Sequence, residues 1–339
     1  MAYQVTLQPS GHQFSVQPGQ TVLEAALHAG YALPYGCRNG ACGACKGKVL
    51  SGRVDYGATQ EGALSAAERE QGYALFCSAR PLTDLVLEVH EVTAVQEIPV
   101  KTLPCRVERL ERLCHDVMGI WLKLPSSERL QFLPGQYIDF LLKDGRRRSL
   151  SLANAPEEDA LLELHMRYVP GGFFSEHVFN VMKVKDILRI RGPLGSFYLR
   201  ESDKPAVFVA GGTGFAPIKA ILTHAFNQGL KRELVLYWGA RAVRDLYMPQ
   251  LPERWAREHA NFRFVPVIQS PLPEESWSGR TGHVHEAVLA DYSDLSGVQA
   301  YVCGAPAMVA AARRDFVARG LPADEFYSDS FEFQGGPGT

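Results

Sequence analysis

Hydrophobic and polar positions change their period along this chain, and each change predicts a different architecture. The first stretch alternates: Tyr3, Val5 and Leu7, then Phe14 and Val16, with Pro9-Ser10-Gly11 between them, the pattern of a β-hairpin. Thr21 stands three residues before Glu24, a capping box that opens a short helix with Leu23, Ala26 and Leu27 on its apolar side. Gly30 is the expected stop. A glycine-rich loop fills 34–47, and 48–50 and 85–89 predict further strands. Hairpin, helix, loop and strands over residues 1–93 predict a small β-grasp core.

A linker is expected over 93–104. Strands follow at 105–113, 117–124, 137–142, 149–153, 161–169 and 187–191, with one helix at 174–182. Short strands at this spacing, parted by Pro and Gly, predict an antiparallel six-stranded β-barrel over 101–201. From 203 onward, apolar strands at 206–210, 233–238, 262–268, 299–303 and 326–327 alternate with helices at 216–228, 246–259, 284–289 and 305–319. That alternation predicts a doubly wound parallel sheet over 203–332, with a flexible tail at 333–339. The fold class expected is multidomain, α+β then α/β.

Composition narrows the function. With 46% hydrophobic and 21% charged residues in 339, the chain is globular rather than disordered. Residues 1–93 carry six Lys/Arg against eight Asp/Glu, and the remainder carries 29 of each, so the net charge of −2 lies in the first module. Neither part has the basic field that nucleic acid demands. No run of about 18 apolar residues exists to cross a membrane, and Met1 to Phe14 lacks the make-up of a signal peptide. A cytoplasmic monomer is expected.

Four of the seven cysteines fall in the first module. Cys37-x4-Cys42-x2-Cys45 followed by Cys77 is the spacing of a plant-type 2Fe–2S cluster, whose potential lies around −400 mV. Three thiolates must converge from one loop, and Gly36, Gly40 and Gly43 let backbone N–H groups turn toward the sulfurs. A zinc site is the competing reading, but zinc favours paired Cys-x2-Cys knuckles. Four unligated buried thiols are the other.

In the second module, Arg148-Ser149-Leu150-Ser151 follows a strand, and an arginine there could fork onto a phosphate. Pro170-Gly171-Gly172-Phe173-Phe174-Ser175 leads into a helix whose free N–H groups offer an anion site. Each taken alone is also an ordinary solvated turn. In the third module, Gly211-Gly212-Thr213-Gly214 with Pro217 lies between the first strand and helix of the parallel sheet, where a dinucleotide pyrophosphate belongs. Arg241 follows the second strand, where a carboxylate for a ribose 2′-hydroxyl is missing; it suits a 2′-phosphate or is simply a surface charge. NADH and NADPH both stay open. Cys303-Gly304-Ala305-Pro306 closes the last long strand, with Cys303 either bordering a nicotinamide or a buried structural thiol. His283-x-His285 lacks the carboxylate or thiolate company of a metal site.

Jointly these stretches, with Gly135-Gln136-Tyr137, His165 to Ser175, Gly192 to Gly195 and Phe326 to Phe331, resemble the ferredoxin-NADP reductase superfamily, in its branch with an N-terminal plant-type ferredoxin. The similarity covers nearly the whole chain. It extends to reductases serving a CDP-deoxysugar dehydrase and to reductase components of phenol, toluene, benzoate and naphthalene oxygenases. The resemblance implies that NADH or NADPH passes a hydride to FAD, whose electrons go singly through the cluster to a dehydrase or oxygenase partner protein. It implies metal ligation by Cys37, Cys42, Cys45 and Cys77. FAD would be held by Arg148, Ser149, Leu150, Ser151, His165, Arg167, Gly172, Phe174 and Ser175, with Ser151 near the reactive flavin nitrogen. NAD(P)H would be framed by Gly211, Gly212, Thr213, Gly214, Pro217, Arg241, Cys303, Gly304 and Pro306, with Phe331 bordering the ring. Ser151, Cys303 and Phe331 would be the residues at the reacting atoms. The family pattern has Tyr or Phe where this chain has Leu150, which offers the flavin only apolar contact. A non-enzymatic redox sensor using the cysteine loop alone is the reading from another class.

Overall fold

The computed structural model describes residues 2–92 and 98–331; the start of the expected linker (93–97) and the expected tail (333–339) lie outside it. Two compact units emerge. One comprises residues up to Pro99 plus two returns of the chain, Gly195–Phe197 and the stretch from Ser328; the other comprises Val100–Leu194 and Tyr198–Tyr327.

In the first unit, β1 (Tyr3–Gln8) and β2 (Gln13–Val16) form the expected antiparallel hairpin. The helix Val22–His28 starts on the expected reciprocal Thr21/Glu24 box, and Gly30 follows its end at φ +86°. Strands β3 (Lys46–Ser51), β4 (Val54–Asp55), β5 (Tyr73–Leu75), β6 (Arg80–Pro81) and β7 (Leu85–Glu88) complete the unit. Its main sheet runs β2-β1-β7-β3-β5, with β1 and β7 parallel and the other pairs antiparallel. A second helix, Ala66–Glu70, has its own Ser65/Glu68 capping box. Sequence reading missed it because the helix buries no residue, so no apolar period announces it.

The second unit holds the barrel and the parallel sheet. Strands β8 (Lys101–Arg112), β9 (Val117–Lys123), β10 (Tyr137–Leu141), β11 (Arg147–Ser151), β12 (Leu162–Arg167) and β13 (Ile187–Leu194) order as β11-β10-β13-β8-β9-β12. Their pairs are antiparallel. A bridge between Leu152 and Leu164 joins the two outer strands, which closes the barrel. Strand β8 begins at Lys101, inside the expected linker. Pro104 hid it: at that position β8 pairs only with β13, because its register with β9 starts at Arg106, so the missing N–H breaks no ladder there. The barrel core is aliphatic with Phe132, Phe140 and Phe174, the last on the helix Phe173–Asn180.

Strands β14 (Ala206–Gly211), β15 (Leu234–Ala240), β16 (Phe262–Ile268), β17 (Arg280–Thr281), β18 (Gln299–Gly304) and β19 (Phe326–Ser330) order as β17-β16-β15-β14-β18-β19. The pairs β14–β15, β15–β16, β16–β17 and β14–β18 are parallel. Helices Phe215–Asn227, Gln250–Glu258, Val284–Asp291 and Pro306–Ala318 make the crossovers. The helix expected from 246 starts at Gln250. Tyr247 is drawn into an aromatic cluster with Trp238 and Phe215, and Pro249 caps the later start.

Candidate functional site

The cysteine loop is shaped by backbone that only small residues tolerate. Gly40 and Gly43 sit at φ +80° and +75°, and a Cβ on Gly40 would lie 2.4 Å from the Ala58 carbonyl. Backbone N–H groups point at sulfur as expected: Cys42 N lies 3.3 Å from Cys37 Sγ, and Ala44 N lies 3.4 Å from Cys42 Sγ. The thiols associate in two pairs. Cys37 is held down to about 6, first by the hydrogen bond from the Cys42 thiol and then, against burial, by the backbone N–H groups of its loop. Cys77 is likewise lowered by the Cys45 thiol, while Cys42 and Cys45, the buried donors of these pairs, are pushed well up.

Two pairs are what a dinuclear cluster uses, one pair to each iron. A single zinc would draw four sulfurs within about 3.8 Å of one another, given Zn–S bonds near 2.3 Å. Among the described residues, the one group of three donors lying within 4.8 Å is instead Cys114, His115 and Asp116. The donor set therefore fits 2Fe–2S and not zinc.

In the second unit, Ser149 Oγ donates to the fully buried Asp139 at 2.6 Å, so this hydroxyl serves the barrel. Ser151 Oγ is buried without a hydrogen-bond partner, an orphan that a bound group would satisfy. Leu150 packs against the barrel core, and Arg148 Nη1 donates to the Arg147 carbonyl. Gly172 caps the helix Phe173–Asn180, where a Cβ would meet Ser175 Oγ at 2.7 Å. Ser175 Oγ bonds back to the Val169 and Gly172 carbonyls. Phe174 is buried against Phe140, ring centroids 5.1 Å apart, which leaves its backbone N–H as its means of touching a ligand.

His165 occupies a place that sequence reasoning did not foresee. Its ring is enclosed, with Nε2 2.8 Å from Glu163 Oε1 and Nδ1 3.0 Å from the Tyr247 hydroxyl. Lys219, from the helix Phe215–Asn227, donates to Glu163 Oε2 and to the Ala153 carbonyl, both at 2.9 Å. Burial works against the Glu163 charge, but His165 and Lys219 outweigh it and hold the carboxyl down at about 2. Burial lowers His165 from its ordinary value. This chain of side chains ties β12 and the chain just past β11 to the first helix of the parallel sheet. Lys219 reads in the sequence as an ordinary helix lysine, so only a buried carboxylate opposite it gives it meaning.

The strand order turns back between β14 and β18, which is where open α/β sheets bind ligands. Gly211 ends β14 and Cys303-Gly304 ends β18 alongside it. The backbones approach so closely that a Cβ on Gly214 would lie 2.0 Å from the Cys303 carbonyl oxygen, and one on Gly304 would lie 3.1 Å from Gly211 Cα. Gly212 sits at φ +53°; its carbonyl accepts from Trp238 Nε1 at 2.9 Å, and Trp238 stacks on Phe215 at 4.0 Å. Pro217 is buried in the first helical turn, Thr213 lies in the tight turn before it, and Pro306 opens the helix after β18. Arg167 reaches to 3.4 Å from the position of a Gly212 Cβ, and its Nε and Nη2 are buried without partners. Arg241 is exposed and Cys303 fully buried. Phe331 falls in the first unit, half-buried, just past β19.

The three modules match three family profiles: the 2Fe-2S iron-sulfur cluster binding domain over residues 5–82, the oxidoreductase FAD-binding domain over 104–198 and the oxidoreductase NAD-binding domain over 208–314. The chain is 40% identical over 331 residues to the CDP-6-deoxy-L-threo-D-glycero-4-hexulose-3-dehydrase reductase of Yersinia pestis, covering 98% of this chain and 99% of that protein. The chain belongs to the iron–sulfur flavoprotein reductases. It is also 36% identical to the xylene/toluene monooxygenase electron transfer component XylA of Pseudomonas putida, covering 96% of this chain and 93% of that one. Among solved structures, the Amycolatopsis reductase GcoB superimposes with a TM-score of 0.76 at 36% identity, covering 97% of this chain and 98% of that one. The ferredoxin reductase of a carbazole 1,9a-dioxygenase superimposes with a TM-score of 0.69 at 27% identity.

As an oxidoreductase of this family the chain uses a 2Fe–2S cluster, FAD and NAD, one in each matched module. Among the described residues no helix is long and apolar enough to cross a membrane.

Proposed function

We propose that this reductase draws electrons from NAD(P)H and delivers them singly to a separate protein that dehydrates a nucleotide-linked hexulose. What carries the reading is the 40% identity to the dehydrase reductase along almost the full length of both chains. When bound, FAD would supply a two-electron acceptor for one hydride and the 2Fe–2S cluster a one-electron carrier, the chemistry that matches a two-electron donor to a one-electron acceptor.

The protein's part is to hold, orient and exclude water. Arg167, expected on FAD, has two buried donors unpaired beside the Gly212 loop and would instead take an anionic phosphate of NAD(P)H, and the N–H groups opening the helix Phe215–Asn227 would share that charge. The orphan hydroxyl of Ser151 would hydrogen-bond the flavin ring, and Arg148 would pair with the flavin pyrophosphate. Cys303-Gly304 would border the nicotinamide, and Cys37, Cys42, Cys45 and Cys77 would ligate the two irons. Phe331 would border the ring, and a cytoplasmic monomer belongs to the same reading.

Anaerobic titration of the purified protein with NADH and with NADPH should bleach both flavin and cluster absorbance. Cys42→Ser should still bleach flavin and transfer nothing to the partner; transfer at the normal rate would refute the electron order. The identity of the acceptor is read by offering the reduced protein a hexulose dehydrase or a diiron oxygenase component. Reduction of the oxygenase alone would favour the second reading, which rests on the similarity to XylA.

A further inference from the structure

The cluster loop is held by residues that do not belong to the ferredoxin stretch of the sequence. Ser196, just past β13, meets Tyr35 at the start of the loop with three hydrogen bonds. Tyr35 N donates to Ser196 Oγ at 2.8 Å, Ser196 Oγ donates to the Tyr35 carbonyl at 2.9 Å, and Ser196 N donates to the same carbonyl at 2.9 Å. Ser328, on β19, donates its hydroxyl to the Cys42 carbonyl at 3.1 Å, across 286 residues of sequence. Both serines are buried. Beside Ser328, the buried Asp329 carboxylate fills the space over Gly36: a Cβ there would lie 2.9 Å from Asp329 Oδ1 and 3.2 Å from Cys42 Sγ.

These contacts bear on ligand geometry. The Cys42 peptide whose carbonyl Ser328 holds is the residue whose N–H faces Cys37 Sγ. Tyr35 and Gly36 lead directly into Cys37. A buried serine hydroxyl costs free energy unless it is paired, and here each is paired with loop backbone rather than with its own strand. The loop is thus fixed at its entrance and at its second ligand.

We propose that Ser196 and Ser328 are positioning residues of the iron–sulfur site, two pins on the returns of the chain at Gly195–Phe197 and from Ser328 that hold the cluster loop in its ligating conformation. The proposal rests on the reading of the four cysteines as cluster ligands. It also makes retention of the cluster depend on those two returns of the chain and not on residues 1–93 alone.

The test uses full-length protein carrying Ser328→Ala, Ser196→Ala, the double substitution, and Ser328→Thr, which restores a hydroxyl. Iron and acid-labile sulfide per chain, visible circular dichroism of the cluster and the half-life of cluster bleaching by an anaerobic iron chelator are measured, with bound flavin and thermal unfolding followed alongside. Each alanine variant should shorten the cluster half-life about fivefold, the rate equivalent of one buried hydrogen bond, and alter the dichroism while flavin content stays put. Ser328→Thr should restore both. Wild-type half-life and dichroism in Ser328→Ala and Ser196→Ala would overturn the proposal. If one alanine variant fails to fold, the other and the Thr variant decide by the same half-life. Wild-type protein without iron or sulfide would instead overturn the cluster reading beneath it.

Discussion

The buried group around Glu163 shows how much depends on single side chains. Glu163 carries its charge inside the protein because Lys219 and His165 both face it. Lys219→Met removes the cation and leaves the buried carboxylate with His165 alone, which should cost about 3–5 kcal/mol; urea unfolding of the two proteins measures it. His165 gives a pH dependence with a definite sign. Burial lowers its folded pKa below the ordinary 6.5, so below that pH the unfolded chain takes up a proton that the folded chain refuses. Stability therefore falls as the pH drops below 6.5, by at most about 1.4 kcal/mol per pH unit for this one group. Thermal unfolding followed from pH 7 to pH 5 should show that slope, reduced in His165→Gln. At this scale the sequence was least informative: Lys219 and Tyr247 look like ordinary helix residues, and Glu163 like an ordinary strand residue, until their burial is known.

Elements were more legible, because their signals are local. The Thr21/Glu24 box and Gly30 bracket a helix without help from the rest of the fold, and Thr21→Ala should cost about 1 kcal/mol in thermal or urea unfolding. The boundaries that escaped reading were set from outside the element. Pro104 lies within β8 because β9 does not reach it, and the helix expected from 246 begins at Gln250 because Tyr247 is needed in an aromatic cluster. The turn from β14 into the helix Phe215–Asn227 offers a test of the proposed nicotinamide site. With a Cβ 2.0 Å from the Cys303 carbonyl, Gly214→Ala must part that turn from β18. The KM for NAD(P)H should rise about tenfold, or ~1.4 kcal/mol, in steady-state ferricyanide reduction, with cluster content unchanged.

For the whole molecule, the two functions of the chain should separate on removal of iron. Anaerobic chelation should abolish reduction of cytochrome c while NAD(P)H still bleaches the flavin, as rapid-mixing absorbance would record. Equal loss of both would contradict the proposed sequence of carriers.

The sequence by itself determined the module order, the cysteine spacing and the glycine turns, since these depend on spacing and backbone freedom within a few residues. Only the tertiary structure decided which of the four thiols pair off, that His165 belongs to an enclosed ion network, and that Ser196 and Ser328 return to the cysteine loop. Those facts rest on contacts between residues far apart in the chain, and burial, which gives such contacts their energy, is a property no local pattern encodes.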